Sequence, residues 1–289
     1  EEQPAEVEND YGVDLSTIKS ARAKSLFIDY KKMEREDKIS WNEIDSRISQ
    51  LTTEELEEFP IISGDYSFYC LELFGTGDYI SVDNFTRHIL EAREGRKTTA
   101  EGFERIQKLD ENSKITTNKH NKSLYEILKL NKTVGENQSL KGIYYDSSER
   151  MVVATNSSVL ISSKRIYDEN NAGKIISKDG KVIDATYPTW RKAVNRLEKY
   201  KIGVIELNPN LVLGLLDSIK SERAAKDLKN IEIFIRLSSD HIVYSAFDRL
   251  YSAMVLASQF GHSKFEFSRN GLISSNNDGY LLLATVIDD

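Results

Sequence analysis

Residues 152–162 read VVATNSSVLIS. Two apolar runs flank a polar centre, Thr155-Asn156-Ser157-Ser158, which contains neither glycine nor proline. Short apolar runs bounded by small polar residues are typical of two successive strands joined by a turn. The stretch therefore predicts a hairpin, and the segments on either side of it indicate what kind of sheet the hairpin joins.

Strand-like segments continue on both sides of this hairpin. Residues 140–146, LKGIYYD, precede it. Downstream, the dipeptide Asp179-Gly180 stands between two apolar runs, which is a strong signal for a two-residue hairpin turn. Because β-branched and aromatic residues dominate them, further strands are predicted at residues 203–209, 231–237, 241–247, 250–256 and within 265–287.

Two helices interrupt the strands. Residues 123–131, SLYEILKLN, and 210–221, NLVLGLLDSIKS, place leucines and isoleucines three or four positions apart, the spacing of an amphipathic helix. The order is helix, three strands and a hairpin, then strand, helix, three strands and a final hairpin. This approximate duplication, with sequential antiparallel strands and helices to one side, predicts an α+β fold of two strand–helix–three-strand units rather than a parallel doubly wound sheet.

The charge of the chain divides near residue 112. Residues 1–112 hold 14 Lys and Arg against 26 Asp and Glu, a net charge of −12, whereas residues 113–289 hold 25 against 20, a net charge of +5. Opposite signs predict two domains, an acidic helical module at 1–112 and an α+β domain at 113–289, of which only the second suits a polyanionic partner. The alternative is that two surfaces of one protein simply differ in charge.

The acidic module carries good helix start signals. Residues 40–43, 52–55 and 98–101 each begin with Ser or Thr and place Glu three positions later, which is the pattern of a capping box. Short amphipathic helices are therefore predicted to follow each of them.

The acidic module also resembles a degenerate pair of EF-hands, through the segments DKISWNEI (37–44) and DYISVDNF (78–85). Calcium binding would need oxygen ligands at fixed loop positions and glycine at the sixth. The first loop has Asp37 where glycine belongs, and the second offers Leu73 and Gly75 at ligand positions. The resemblance therefore implies a helix-pair scaffold without a calcium site.

Three motifs in the second domain resemble the bacterial DNA polymerase sliding clamp family. The family carries a stretch close to A-T-D-G-H-R-L-A, which here reads ATNSSVLI at residues 154–161. Its upstream L-N-G-hydrophobic strand is answered by LKGI at 140–143, and its F-P-D-Y-R-R-V by YPTWRKA at 187–193. The apolar strand LLLATVI, at 281–287, takes the place of the family's last strand.

The resemblance covers about residues 120–289, one clamp-like domain where a bacterial clamp chain carries three. Ser157, Ser158 and Val159 stand where the family motif has Gly, His and Arg. It implies a non-enzymatic processivity factor of DNA replication, located in the cytoplasm, that binds double-stranded DNA without sequence specificity and forms a ring as a homo-oligomer. A ring would need more copies of this chain than of a three-domain clamp, and the alternative is that no ring forms.

Two sets of residues follow from the resemblance. Helix cations would meet DNA phosphates, a contact that is salt-sensitive and independent of sequence; the matching residues are Lys122, Lys129, Lys132, Lys220, Arg223 and Lys226. An apolar groove would accept polymerase-type peptide motifs; its matching residues are Thr155, Leu160, Pro188, Ala193 and Val286. The alternatives are ordinary solvated helix residues for the first set and packing or turn residues for the second.

Enzyme signatures do not occur in the sequence. The four histidines are scattered without H-E-x-x-H, and P-loop, G-x-S-x-G and Rossmann glycine patterns do not occur. The single cysteine, Cys70, leaves no thiolate metal cluster or internal disulfide to form and suits a reducing cytoplasm. No apolar run approaches the roughly 18 residues that cross a membrane. The sequence thus predicts no catalysis, cofactor, metal or membrane partner.

The alternative function is a structural or protein-interaction module that uses the clamp fold without binding DNA.

Overall fold

The fold of this chain is given by a computed structural model. The placement is described for residues 15–36, 40–64, 68–72, 78–96, 124, 125, 127, 137–225, 231–238, 241–268 and 271–284. The chain divides into two units, of which the first comprises Glu1–Phe68 and Ile80–Arg96, and the second Tyr69–Tyr79 and Lys97–Asp289. The predicted boundary between residues 112 and 113 lies outside the described residues and stays a prediction.

The first unit is helical. Its helices are α1 (Ala21–Glu36), α2 (Trp41–Gln50), α3 (Thr53–Glu57) and α4 (Asn84–Arg96). In their shared core the rings of Tyr30 and Phe85 stack with centroids 4.4 Å apart. The Tyr30 hydroxyl donates to Asp83 over 2.8 Å, and Asp83 accepts the backbone N–H of Thr86 at the start of α4. This carboxylate therefore caps one helix and ties it to another.

Two of the three predicted helix starts are confirmed. Ser40 caps α2 by accepting the N–H of Glu43. At α3, Thr52 and Glu55 form a reciprocal capping box, each side chain bonding the other residue's backbone N–H. The third predicted start, at residues 98–101, lies outside the described residues.

Within the residues that the structure describes, thirteen strands form two sheets. The strands are β1 (Phe68–Glu72), β2 (Asp78–Ser81), β3 (Gly142–Asp146), β4 (Met151–Thr155), β5 (Val159–Ser163), β6 (Ile175–Ser177), β7 (Val182–Ile183), β8 (Lys201–Glu206), β9 (Glu232–Ser238), β10 (His241–Ala246), β11 (Lys264–Ser268), β12 (Gly271–Asn276) and β13 (Gly279–Ala284). The larger sheet has the order β7-β6-β3-β4-β5-β13-β12-β11-β8, and the smaller has the order β10-β9-β1-β2. Every neighbouring pair in the larger sheet is antiparallel.

The α-helices of the second unit whose bounds are described are α5 (Arg191–Lys199), α6 (Pro209–Ala225) and α7 (Phe247–Phe260). One face of the nine-stranded sheet packs in a cluster with α6 and α7, through residues such as Val152, Ile161 and Leu281. The opposite face packs with α5, through Val153 and Leu160 among others. Because both faces are covered, the strands are buried on both sides, and VVAT and VLIS therefore read as continuous apolar runs.

The predicted α+β class is confirmed, and so are most of the elements in the second unit. The hairpin around residues 152–162 is β4 and β5. The predicted hairpin between β6 and β7 is present at Asp179-Gly180, with Gly180 at a positive φ of 75°. Its predicted two-residue turn is wrong: Ile176 pairs with Val182 and the N–H of Ser177 donates to the carbonyl of Lys181, so the loop also includes Lys178. Helix 210–221 is α6, while of the helix at 123–131 only residues 124, 125 and 127 are described, and they are helical.

The strand predicted at residues 250–256 is wrong, because this segment lies inside α7. Its buried residues recur at helical spacing when the window is widened, for instance Phe247, Leu250, Ala257 and Phe260. The helix ends at Gly261, whose φ of 75° is the left-handed conformation of a helix C-cap. The second repeat is therefore interrupted by a second helix before its last strands. None of the helices described in the structure is long and apolar enough to span a membrane.

Candidate functional site

The polar centre of the β4–β5 hairpin is organised by Asn156. Its Oδ1 accepts the backbone N–H groups of Ser158 (3.0 Å) and Val159 (2.7 Å), and its Nδ2 donates to the carbonyl of Ile127 (3.2 Å). The side chain is buried. A buried amide that satisfies two backbone donors and one carbonyl fixes the turn and fastens it to a neighbouring segment.

Thr155 and Ser157 complete the turn. The Thr155 hydroxyl donates to the carbonyl of Val159 (2.9 Å) and accepts the N–H of Ser157 (3.1 Å). Ser157 has a φ of 75°, in the left-handed region that favours glycine. Leu160 pairs with Thr155 across the two strands. The turn therefore presents the side chains of residues 157 and 158 at one end of two interior strands of the sheet, on a fixed backbone.

We expect Asn156→Ala to lower the free energy of unfolding by about 2 kcal/mol, since it leaves two backbone N–H groups without their acceptor, and each unsatisfied buried group costs about 1–3 kcal/mol. Urea unfolding followed by circular dichroism measures this. Ser157→Ala is the matched control, because the Ser157 side chain is exposed, and its expected change is within about 0.5 kcal/mol. Equal stability of the two variants would contradict this role for Asn156.

Helix α5 is fastened to the sheet at its first turn. The indole Nε1 of Trp190 donates to Asp146 over 2.7 Å in a buried contact. The Arg191 guanidinium forms two hydrogen bonds with Glu149, of 2.9 and 2.6 Å. Its Cζ lies 4.5 Å from the ring centroid of Trp190 and 4.7 Å from that of Tyr280, within the range of cation–π attraction.

The Asp146 carboxylate is charged in this setting. Burial alone would raise its pKa, but the hydrogen bonds from Ser148 and Trp190 together hold the pKa of Asp146 below its ordinary value. Ser148 donates to Oδ1 through both its backbone N–H (2.9 Å) and its hydroxyl (2.6 Å). The indole of Trp190 is thus held by an ionised acceptor, which makes the hydrogen bond a strong one.

A cavity of about 330 Å³ lies between the β4–β5 turn, α5 and the end of β13. Its volume is at the lower end of the range of ligand pockets, about 300–1,000 Å³. The described residues that line it are Thr155, Ser157, Ser158, Val159, Leu160, Lys192, Ala193, Arg196, Leu197, Leu282 and Ala284. The wall at β13 is joined to the turn, because the N–H of Ala284 donates to the carbonyl of Ser158 over 2.7 Å.

The chemistry of this groove is apolar at the base and cationic at one side. Leu160, Leu197 and Leu282 are buried, whereas Lys192 and Arg196 are exposed. Among the described lining residues none is acidic. The groove therefore suits a ligand that brings an apolar side chain, and it offers no described nucleophile–base pair for catalysis.

The structure brings together three of the five predicted groove residues. Thr155, Leu160 and Ala193 all line the cavity. Pro188 is exposed and lies outside the lining, three residues before α5, and Val286 falls outside the described residues. Sequence reasoning missed the residues of α5 and β13, namely Lys192, Arg196, Leu197, Leu282 and Ala284. Val194 and Leu197 are the two buried residues of α5, and a single i, i+3 apolar pair is too short a signal to reveal a helix.

Of the six predicted DNA-binding cations, two lie within the described residues. Lys122, Lys129, Lys132 and Lys226 lie outside the described residues. Lys220 and Arg223 lie on α6. The Lys220 Nζ lies 5.3 Å from the ring centroid of Tyr251, and an Arg223 Nη1 lies 4.0 Å from Asp248.

Acidic residues accompany these two cations. Helices α6 and α7 together carry three basic residues (Lys220, Arg223 and Arg249) and three acidic ones (Asp217, Glu222 and Asp248), so their formal charges cancel. The described part of the helix pair therefore carries no excess positive charge. DNA binding at these residues stays a prediction.

A metal site is not visible in the part of the chain that the structure describes, since no group of three or more His, Cys, Asp or Glu side chains there could hold an ion. Lys32, at the first position of the first EF-hand-like loop, lies inside α1. Part of each EF-hand-like loop, at residues 37–39 and 73–77, falls outside the described residues.

No protein-family model and no curated protein matches the chain. Solved structures similar to it include the beta sliding clamp of Caulobacter crescentus, at 11% identity and a TM-score of 0.41 over 60% of this chain. The DNA polymerase III subunit beta of Borrelia burgdorferi matches at 13% and 0.39 over 61%, and the beta subunit of the Streptococcus pyogenes DNA polymerase at 9% and 0.40 over 74%.

The chain spans less than two thirds of the first two of these proteins, 64% of each, and 72% of the third. These three proteins belong to the family that the sequence motifs resemble. At these identities and TM-scores the likeness concerns the fold alone, and function has to be inferred from this chain's own residues.

Proposed function

We propose that this protein is a non-enzymatic interaction module that binds a short linear segment of a partner protein in the groove lined by Leu160, Ala193 and Leu282. The observation that carries the proposal is the cavity of about 330 Å³ that the β4–β5 turn, α5 and the end of β13 line together. The sequence motifs that resemble the sliding clamp family point to the same turn.

The geometry suits an extended peptide with a buried anchor. Peptide grooves obtain most of their affinity from a few apolar anchors that fill desolvated pockets, surrounded by contacts that exclude water. Here Leu160, Leu197 and Leu282 form an apolar base, and Ser157 and Ser158 also line the groove. The turn is held rigid by Asn156, so little ordering is needed when the ligand binds.

A clamp-like role in DNA replication would add a second partner, double-stranded DNA. That role would need the cations predicted on the helices to form a positive surface, and of these only Lys220 and Arg223 are described, beside acidic residues. The groove requires no such surface. The reading as a protein-interaction module is therefore the one that the described residues support best.

The test is a selection from a random linear peptide library displayed on phage, made against the full chain, followed by fluorescence anisotropy with a labelled synthetic binder. We expect Ala193→Trp, which fills the cavity from an exposed position, to weaken binding by at least about tenfold, or about 1.4 kcal/mol. The matched control is Asn195→Trp, on the exposed side of α5 and outside the lining.

The control variant is expected to bind as the unmodified protein does. Selected peptides should share an apolar residue at a constant position, because one anchor dominates a pocket of this size. If every selected peptide binds the Ala193→Trp variant as well as the unmodified protein, the groove is not the binding site and the proposal fails.

A further inference from the structure

The exposed face of α5 beside the groove is basic. Lys192, Arg196 and Lys199 lie at positions i, i+4 and i+7 of the helix and are all exposed, so they lie along one face. Residues of α5 include four basic side chains and one acidic one, Glu198. The local charge is therefore +3, opposite in sign to the net charge of −7 of the whole chain.

Two of these cations are available to a ligand. Other basic residues of the same unit are paired with carboxylates: Arg191 with Glu149, Arg165 with Asp278 and Lys201 with Glu266. Within the described part of the chain, no carboxylate lies within salt-bridge distance of Lys192 or Arg196, the two that line the cavity. They therefore carry their charge at the groove's margin, directly beside its apolar base.

We infer that the segment bound in the groove is acidic next to its apolar anchor, and that Lys192 and Arg196 recognise it; this rests on the proposed function. The positive charges of Lys192 and Arg196 favour a peptide segment of negative charge. A guanidinium offers a planar fork that matches a carboxylate, and charges at an interface set specificity and association rate more than affinity. A basic or neutral segment would leave both cations unpaired beside an apolar surface.

The base of the groove fixes which part of the ligand must be acidic. Leu197 lies one position after Arg196 and is buried, so an anchor that contacts Leu197, Leu160 and Leu282 is within reach of the Arg196 side chain. Lys192 lies one turn earlier on the same face. An Asp or Glu on the α5 side of the anchor would thus meet one of the two cations.

The test uses the peptides selected on the full chain. We expect Asp and Glu to be enriched beside the apolar anchor. In anisotropy titrations of the strongest binder, Arg196→Glu should weaken binding by about tenfold, and replacing the peptide's acidic residue by Lys should restore it. Raising the salt from about 50 mM to about 500 mM should weaken binding to the unmodified protein. Lys178→Glu, the same kind of charge change on an exposed residue of the β6–β7 turn, is the control.

The outcomes separate the two proposals. If Ala193→Trp abolishes binding while the peptides are neutral and Arg196→Glu leaves their affinity unchanged, the inference is overturned and the proposed function stands. If Ala193→Trp has no effect, the proposed function itself fails. If Arg196→Glu instead removes binding of a labelled duplex DNA and leaves peptide binding unchanged, the basic face serves nucleic acid, and the inference is wrong.

Discussion

Replacing Trp190 by alanine is expected to lower the free energy of unfolding by about 3–5 kcal/mol, the usual cost of truncating a buried Trp. Trp190 is 5% exposed and packs in the cluster with Val153, Val194 and Leu282 that joins α5 to the sheet. Its removal also leaves Asp146 without the indole N–H donor. The Arg191 guanidinium loses one of the two aromatic rings that it contacts. Because α5 forms one wall of the groove, peptide binding should be lost with it.

Two further variants separate packing from hydrogen bonding. Trp190→Phe keeps an aromatic ring but removes the N–H donor, and it should cost about 1–3 kcal/mol because one oxygen of Asp146 is left unpaired. Asn195→Ala, on the exposed side of α5, should change stability by less than about 0.5 kcal/mol. Urea unfolding followed by circular dichroism gives the ranking, and hydrogen exchange of residues 191–199 shows whether α5 detaches. A Trp190→Ala variant whose free energy of unfolding lies within about 1 kcal/mol of that of the unmodified protein would contradict this account.

Acidification from pH 7.5 to pH 5 is expected to remove about 2 kcal/mol of stability through one residue, His262. Its ring is buried, with Nδ1 3.0 Å from the Ser274 hydroxyl and Nε2 3.4 Å from the amide nitrogen of Asn276. Because Asn276 can only donate through that nitrogen, Nε2 accepts and Nδ1 carries the proton. Burial, together with the charge of Arg165, lowers the pKa of His262 to about 3.

The sign follows from proton linkage. The folded protein keeps His262 neutral, while the unfolded chain protonates it below its ordinary pKa of about 6.5. Stability is therefore complete above about pH 6.5 and falls as the pH decreases toward about 3. His262→Gln removes the titrating group, so the unmodified protein should lose about 2 kcal/mol more than this variant between pH 7.5 and pH 5. Parallel pH profiles of unfolding free energy would show that His262 is not responsible.

Local signals in the sequence account for much of the fold. The hairpin at residues 152–162, the turn at Asp179-Gly180 and helix α6 were predictable because each depends on residues that are neighbours in the chain. The helix at residues 247–260 was not, since it is buried on most of its surface and its aromatic and aliphatic residues read as a strand in a seven-residue window. Burial of most of a helix leaves few polar positions, and these are what make an amphipathic helix recognisable.

The groove could be predicted only in part. Thr155 and Leu160 belong to a recognisable motif, but α5 begins at Arg191 after an N-cap residue, Trp190, that makes no side-chain cap hydrogen bond, so no start signal precedes the helix. Leu282 reaches the site because β13 pairs with β5, Leu282 opposite Leu160. Pairing between residues more than one hundred positions apart produces no signal in the local sequence. The basic character of the groove follows from α5 and therefore became visible only in the structure.

The central claim is that the groove beside the β4–β5 turn holds a peptide, and a crystal structure of the full chain with a selected peptide tests it most directly. We expect the peptide's apolar anchor to contact Leu160, Ala193 and Leu282, with the β4–β5 turn unchanged around Asn156. A peptide bound elsewhere on the molecule, with this groove left open, would contradict the account.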